Sequence, residues 1–358
     1  MVDGVLRVFS CGVGCFQEIR ILKFFFYQTE KALLRREMNQ INKFQTLIIA
    51  VAVILGLLLG QVSFLADHAQ FFIVPFLMLM LFGLFLNIPM KDILKSFNNQ
   101  KFFAANLVVN FIWTPVFAYL LGYLLLQNQL SLWIGFVMLL VTPCTDWYLI
   151  FIGMAKGNVP LGASVLPMNL LLQILLLPIY LFLFFGKSAT VDLGNILEGI
   201  FLVLVIPLVL AQLLKSLSTR KYSDWMTNRV LPFFDSSQVI FLGCAIIAMF
   251  ASQGNHLTAN PEAFLLLLLP LMLFFIGNFF VGRFASYYLK FRYADSASFS
   301  LTTLARNSPI SLAIAITAFP NEPLIALALI VGPLIELPIL FLASQVLRRI
   351  KNSEAGRY

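Results

Sequence analysis

From residue 44 onward, long apolar runs alternate with short polar segments. Ten runs are legible, at 44–64, 71–88, 103–126, 131–154, 159–185, 193–215, 231–253, 264–289, 297–319 and 323–347. A helix rises about 1.5 Å per residue, so about 20 apolar residues cross a hydrocarbon core of about 30 Å. Every run meets that requirement, the second only narrowly. The pattern predicts an all-α polytopic membrane protein with ten transmembrane helices. Ten spans divide into two sets of five, and the odd number starts the second set on the opposite face, which is the arithmetic of an inverted repeat. Pro143 to Pro167 and Pro309 to Pro333 are both 24 residues apart, and the implied offset of 166 overlays spans 2–5 on spans 7–10. Spans 4 and 9 become counterparts.

Those two spans carry the most unusual interior. Span 9 contains LTTLARNSPISLAIAI, with Arg306, Asn307, Ser308 and Pro309 in its middle. An arginine at bilayer depth costs roughly 2.5 to 3.5 kcal/mol, and a proline within a span frees a backbone carbonyl. Span 4 contains VTPCTDWYLIF, with Thr142, Pro143, Cys144, Thr145 and Asp146 at similar depth. Both read as helices broken at Pro143 and Pro309, whose half-helix ends offer amides to anions and carbonyls to cations. The plainer alternative is a pair of proline kinks satisfied by Ser and Thr side chains.

Asp146, Arg306 and Glu336 are the ionisable residues deepest in the expected bundle, and Glu336 lies in GPLIELP between Pro333 and Pro338. They form either a permanent ion pair beside a protonated acid, or a carboxylate that exchanges protons or binds a cation while Arg306 holds a partner or an anion. Asp146 and Arg306 are the expected pair. Cys144 is either a small packing residue or a soft ligand for a metal or metalloid. Asn110, Asn169 and Gln173 would complete a site or bridge helices.

Composition removes the soluble alternatives. The chain is 60% hydrophobic and 11% charged, with 37 phenylalanines, too little polar surface for a water-soluble fold. The net charge of +8 lies in segments between apolar runs rather than on a basic face, so the expected partner is a lipid bilayer and not nucleic acid. The N-terminal segment, the loops after spans 2, 4, 6 and 8, and the C-terminus hold 22 of the 24 lysines and arginines. The positive-inside rule then puts both termini in the cytoplasm, in a cell membrane, inner or plasma. His68, His256, Asp67, Glu262 and Glu322 fall in outer loops. Residues 1–43 read as a cytoplasmic segment without a signal peptide, Met38 being a candidate start; 44–348 form the transporter domain and 349–358 a cytoplasmic tail. Cys11, Cys15, Cys144 and Cys244 form neither a disulfide framework nor a metal cluster. The chain has no HExxH, GxSxG or ATP-binding loop, so the expectation is a non-enzyme that requires no partner ATPase.

On TTLARNSPISLAIAI, IVGPLIELPIL and the Pro143–Cys144 pair, residues 40–350 resemble the bile acid:sodium symporter superfamily, and within it the arsenite-efflux permease branch. The resemblance implies two inverted five-helix repeats, with panel helices 1, 2, 6 and 7, core helices 3–5 and 8–10, and spans 4 and 9 broken and crossing. In that branch a cysteine in span 4 and a glutamate in span 10 are functionally important, and the matching positions are Cys144 and Glu336. The implied activity is ion-coupled secondary transport of a small molecule or metalloid. Arsenite or antimonite efflux is the leading reading, and sodium-coupled symport of a small organic anion the alternative. The expected site is Thr142, Cys144, Thr145, Asp146, Asn169, Arg306, Asn307, Ser308 and Glu336, with H+ or Na+ as coupling ion and no other cofactor.

Overall fold

The computed structural model describes residues 45–87, 99–145, 148–186, 193–217, 225–259 and 261–355. The chain divides into two units, Met1–Leu47 and Ile48–Tyr358, and the second carries the site. Among the described residues the regular structure is helical: α1 (Gln45–Leu59), α2 (Ser63–Asn87), α3 (Gln100–Leu126), α4 (Leu130–Leu140), α5 (Tyr148–Met154) and α6 (Val159–Phe185). They are followed by α7 (Gly194–Leu217), α8 (Leu231–Ala259), α9 (Pro261–Tyr288), α10 (Tyr293–Leu304), α11 (Ser308–Ala318) and α12 (Pro323–Ala355).

Seven of the described helices are long and apolar enough to cross a membrane, namely α2, α3, α6, α7, α9, α12 and the helix from Met226 that includes most of α8. The apolar helices α4 and α11 have 11 residues each. Such a helix reaches only about 16 Å, roughly half the hydrocarbon core. Each is one half of an interrupted segment, α4 being followed by α5 and α11 preceded by α10. The sequence runs 131–154 and 297–319 are therefore two helices each.

Several boundaries differ from the sequence reading. The first two runs part at residues 60–62 rather than in a loop at 65–70, so Asp67 and His68 lie within α2, where the His68 ring Nδ1 meets the Phe64 carbonyl at 2.8 Å. The α8 backbone includes His256, Glu262 sits in the first turn of α9, and α12 continues to Ala355 through the expected tail. The reason is common to all three. Hydropathy measures the cost of lipid contact, whereas a helix continues through polar residues wherever its surface is wet. Glu262 is also favoured by the partial positive charge of a helix N-terminus. Glu322 does lie in a turn, before α12, and accepts the Ser131 hydroxyl at 2.6 Å.

Exposed Leu124, Leu183, Phe280 and Phe284 lie outside an apolar core that runs through α2, α4, α6, α8, α9, α11 and α12. That is expected where the solvent is lipid. Within the bundle α4 lies against α12. Gly135 sets the approach, because a Cβ there would stand 2.5 Å from the Ile325 carbonyl oxygen. Prolines inside helices leave carbonyls without donors, and hydroxyls answer them. Pro115 cannot donate to Phe111, whose carbonyl instead accepts the Tyr180 hydroxyl at 2.6 Å. Pro333 likewise frees the Leu329 carbonyl, which accepts from Ser308.

Candidate functional site: a crossing of two broken helices

α4 stops at Leu140 and α10 at Leu304, and the extended stretches that follow pass each other antiparallel. Pro143 faces Arg306 as an isolated bridge. The Asn307 N–H donates to the Thr142 carbonyl at 2.7 Å, and the Cys144 N–H donates to the Ala305 carbonyl at 3.1 Å. Backbone that lipid could not satisfy is thus satisfied by the other break. Pro143 has no N–H, so it occupies the bridge without stranding a donor. Pro309 has a different role: it lies in the first turn of α11, where its missing N–H costs nothing. The equal spacing of the two prolines therefore does not make them structural counterparts, which corrects the offset read from the sequence.

Side chains tighten the crossing. Asn307 caps α11 by accepting the Ile310 N–H at 3.3 Å and donates to the Thr145 hydroxyl at 3.0 Å. Ser311 donates to the Met138 carbonyl at 2.9 Å, and Thr142 places its hydroxyl 2.7 Å from that of Ser311. Asn307→Ala removes both a cap and a link between the breaks. It should destabilise the protein by about 2 kcal/mol, combining a helix cap of about 1 kcal/mol with a buried hydrogen bond of similar size. Thr145→Val, which loses only the link, should cost less, and thermal unfolding of the two purified variants makes the comparison.

Arg306 is only 1% exposed. Its guanidinium donates to the carbonyls of Leu140 (2.9 Å), Leu304 (3.2 Å) and Thr303, and to the Asn110 amide oxygen (3.1 Å). The Arg306 main-chain N–H donates to Glu336 Oε1 at 2.8 Å. From Asn110 a file of amides leads away: Asn110 donates to Asn106 at 3.0 Å, and Asn106 donates to Asn169 at 2.8 Å. The Asn169 amide nitrogen and both polar side-chain atoms of Gln173, one turn further along α6, are buried without a hydrogen-bond partner. A small hydroxylated molecule or water would find both donors and an acceptor there.

Of the expected site residues, Thr142, Cys144, Thr145, Arg306, Asn307, Ser308 and Glu336 come together at or beside the crossing, all of them buried. Asn169 joins them through Asn106 and Asn110 rather than directly. Asp146 lies outside the described residues, and so does its expected pairing with Arg306, whose guanidinium bonds described above go to neutral oxygens. Three groups were missed. Asn106 and Asn278 are lone amides in apolar runs, which is the signal that could have found them; Asn278 donates to the Thr303 carbonyl and accepts from the Trp113 indole at 3.2 Å. Ser311 had only its place one turn past Asn307 to recommend it. The third group is the hydroxyl-rich α10, YADSASFSLTTL, buried from Ser296 to Leu304. Three of its hydroxyls bond back one turn, Ser298 to Ala294 (2.9 Å), Thr302 to Ser298 (2.7 Å) and Thr303 to Phe299 (2.9 Å), which lets an enclosed helix carry them. Among the described residues no group of three His, Cys, Asp or Glu could hold a metal ion.

Apolar spans around a polar crossing of interrupted helices define a multi-pass membrane transporter. The chain belongs to the Sodium Bile acid symporter family, whose model matches residues 74–260. It is similar to the arsenical-resistance protein Acr3 of Corynebacterium glutamicum, 26% identical over 68% of this chain and 68% of that protein. It is also similar to the arsenical-resistance protein Acr3 of Alkaliphilus metalliredigens, 24% identical over 87% of this chain and 93% of that one. The "Probable sodium/metabolite cotransporter BASS6, chloroplastic" of Arabidopsis thaliana is 25% identical over 83% and 72%.

Proposed function

We propose that the chain is an ion-coupled secondary transporter that moves arsenite or antimonite out of the cell through the crossing of the broken helices. One observation carries this reading: Cys144 and Glu336 are bonded to adjacent residues of the same paired backbone. The Cys144 N–H bonds Ala305, and the next residue, Arg306, bonds Glu336 through its own N–H. A buried residue with a soft thiol and a buried carboxylate thus both belong to the crossing. Trivalent arsenic travels as a small neutral hydroxide, for which a thiol and surrounding hydroxyls and amides are suitable partners. The two Acr3 relatives support the same substrate.

A second reading, sodium-coupled symport of a small organic anion, is favoured by the sodium/metabolite relative. In either case we read the chain as ten spans in two inverted five-helix sets, panel and core, with both termini cytoplasmic. The antiparallel passage of two interrupted segments supports that architecture. The coupling ion is H+ or Na+, and transport proceeds without catalysis or a partner ATPase. The experiment is growth of a metalloid-sensitive host expressing the chain, combined with transport into everted vesicles under separately imposed sodium and pH gradients. Resistance is the expected result. Absence of resistance together with sodium-driven uptake of an organic anion would replace the first reading by the second.

A further inference from the structure

We propose that the Arg306 guanidinium is a built-in cation, seated where broken helices would otherwise coordinate a coupling cation, and that it makes this transporter independent of sodium. The inference deepens the transporter reading above and rests on it. Leu140 is the last residue of α4, and Leu304 is the last residue of α10. Carbonyls at a helix C-terminus lack helical donors and carry the negative end of the helix dipole. Two such ends converge on one side chain: Leu140 oxygen at 2.9 Å from Nη1, Leu304 oxygen at 3.2 Å from Nε, and the Thr303 oxygen on Nη2. The Asn110 oxygen at 3.1 Å adds a fourth neutral ligand, and the Phe274 ring, its centroid 5.4 Å from the guanidinium carbon, presents its π face. Glu336 adds a carboxylate on the Arg306 main chain.

Unwound carbonyls and half-helix C-termini are the groups with which secondary transporters hold sodium. Here they hold a cation that is tethered, 1% exposed, and unable to leave during a transport cycle. A sodium ion entering this site would have to evict a group that makes four hydrogen bonds. A ligand with no differential affinity for the states of a protein shifts nothing, so a sodium gradient has no purchase at the crossing.

Cutting the side chain back leaves the oxygens in place and opens their centre to a small cation. Arg306→Ala and Arg306→Gln, purified beside the parent, are therefore melted in choline chloride and again with sodium chloride or guanidinium chloride at equal, low concentration. The parent should melt at the same temperature in choline and sodium. Both variants should melt lower than the parent and recover by several degrees with guanidinium, and in part with sodium, as binding to the folded state requires. Sodium stabilising the parent overturns the proposal, and so do variants indifferent to both cations. If the variants do not accumulate, their yield from cells grown with and without millimolar guanidinium decides, and no difference counts against the proposal. None of these readouts needs a transported substrate. A parent that fails to move metalloids or anions therefore refutes the transporter reading without touching this result, while a sodium effect on the parent refutes the inference alone.

Discussion

Glu336→Gln should abolish gradient-driven transport and leave the fold intact. Glu336 Oε1 accepts the Arg306 main-chain N–H, and a glutamine carbonyl oxygen can accept it equally. Side-chain volume is unchanged, and a neutral amide is cheaper to keep at bilayer depth than a carboxylate. The substitution therefore removes charge and the capacity to carry a proton or pair with a cation, and little else. The expected effect is a rate loss of at least about tenfold, equivalent to about 1.4 kcal/mol in the barrier, with a melting temperature close to the parent's. Glu336→Leu supplies the contrast. It also deletes the acceptor for a buried N–H and should lose about 1 to 3 kcal/mol of stability. If the glutamine variant transports like the parent under both sodium and pH gradients, Glu336 is a structural acceptor for the Arg306 backbone.

Cys144→Ser is the second large effect, and it separates a metalloid from an organic anion. Cys144 is 2% exposed, and its link to Ala305 is made by the main chain, so serine preserves the crossing while replacing a polarisable sulfur with a hard oxygen. Metalloid resistance should be lost with expression and thermal stability unchanged. A parent without resistance ends the arsenite reading whatever the variant does. Resistance in both proteins would remove the thiol from the mechanism, and the hydroxide would then have to be held by Thr142, Thr145, Asn307 and Ser308. That set is already engaged: Asn307 donates to Thr145, and Ser308 donates to Leu329.

The sequence made the broken segments legible because lipid penalises polar groups so heavily that Arg306 and the Thr-Pro-Cys-Thr stretch stand out from their surroundings. It made Cys144 and Glu336 legible through their flanking prolines and the family resemblance. It did not reveal where helices end, since α2 begins at Ser63 and α12 runs to Ala355 through residues too polar to count as membrane. The partners of Arg306 were also hidden. A search for its counter-charge looks for carboxylates, whereas three of the acceptors are main-chain carbonyls, which every residue possesses and no sequence pattern marks. The antiparallel contact of residues 142–144 with 305–307 is a matter of two distant stretches meeting, and the proline spacing pointed to a slightly different register.

The two hydrogen bonds across the breaks have a consequence for motion. Separating the stretch at Thr142–Cys144 from the one at Ala305–Asn307 would strand two N–H groups and two carbonyls inside the membrane, each at a cost of several kcal/mol. A transport cycle cannot spend that at every turnover. The interrupted helices must therefore travel as one body, and whatever opens the site alternately to either side has to be the surrounding helices sliding past this fixed knot.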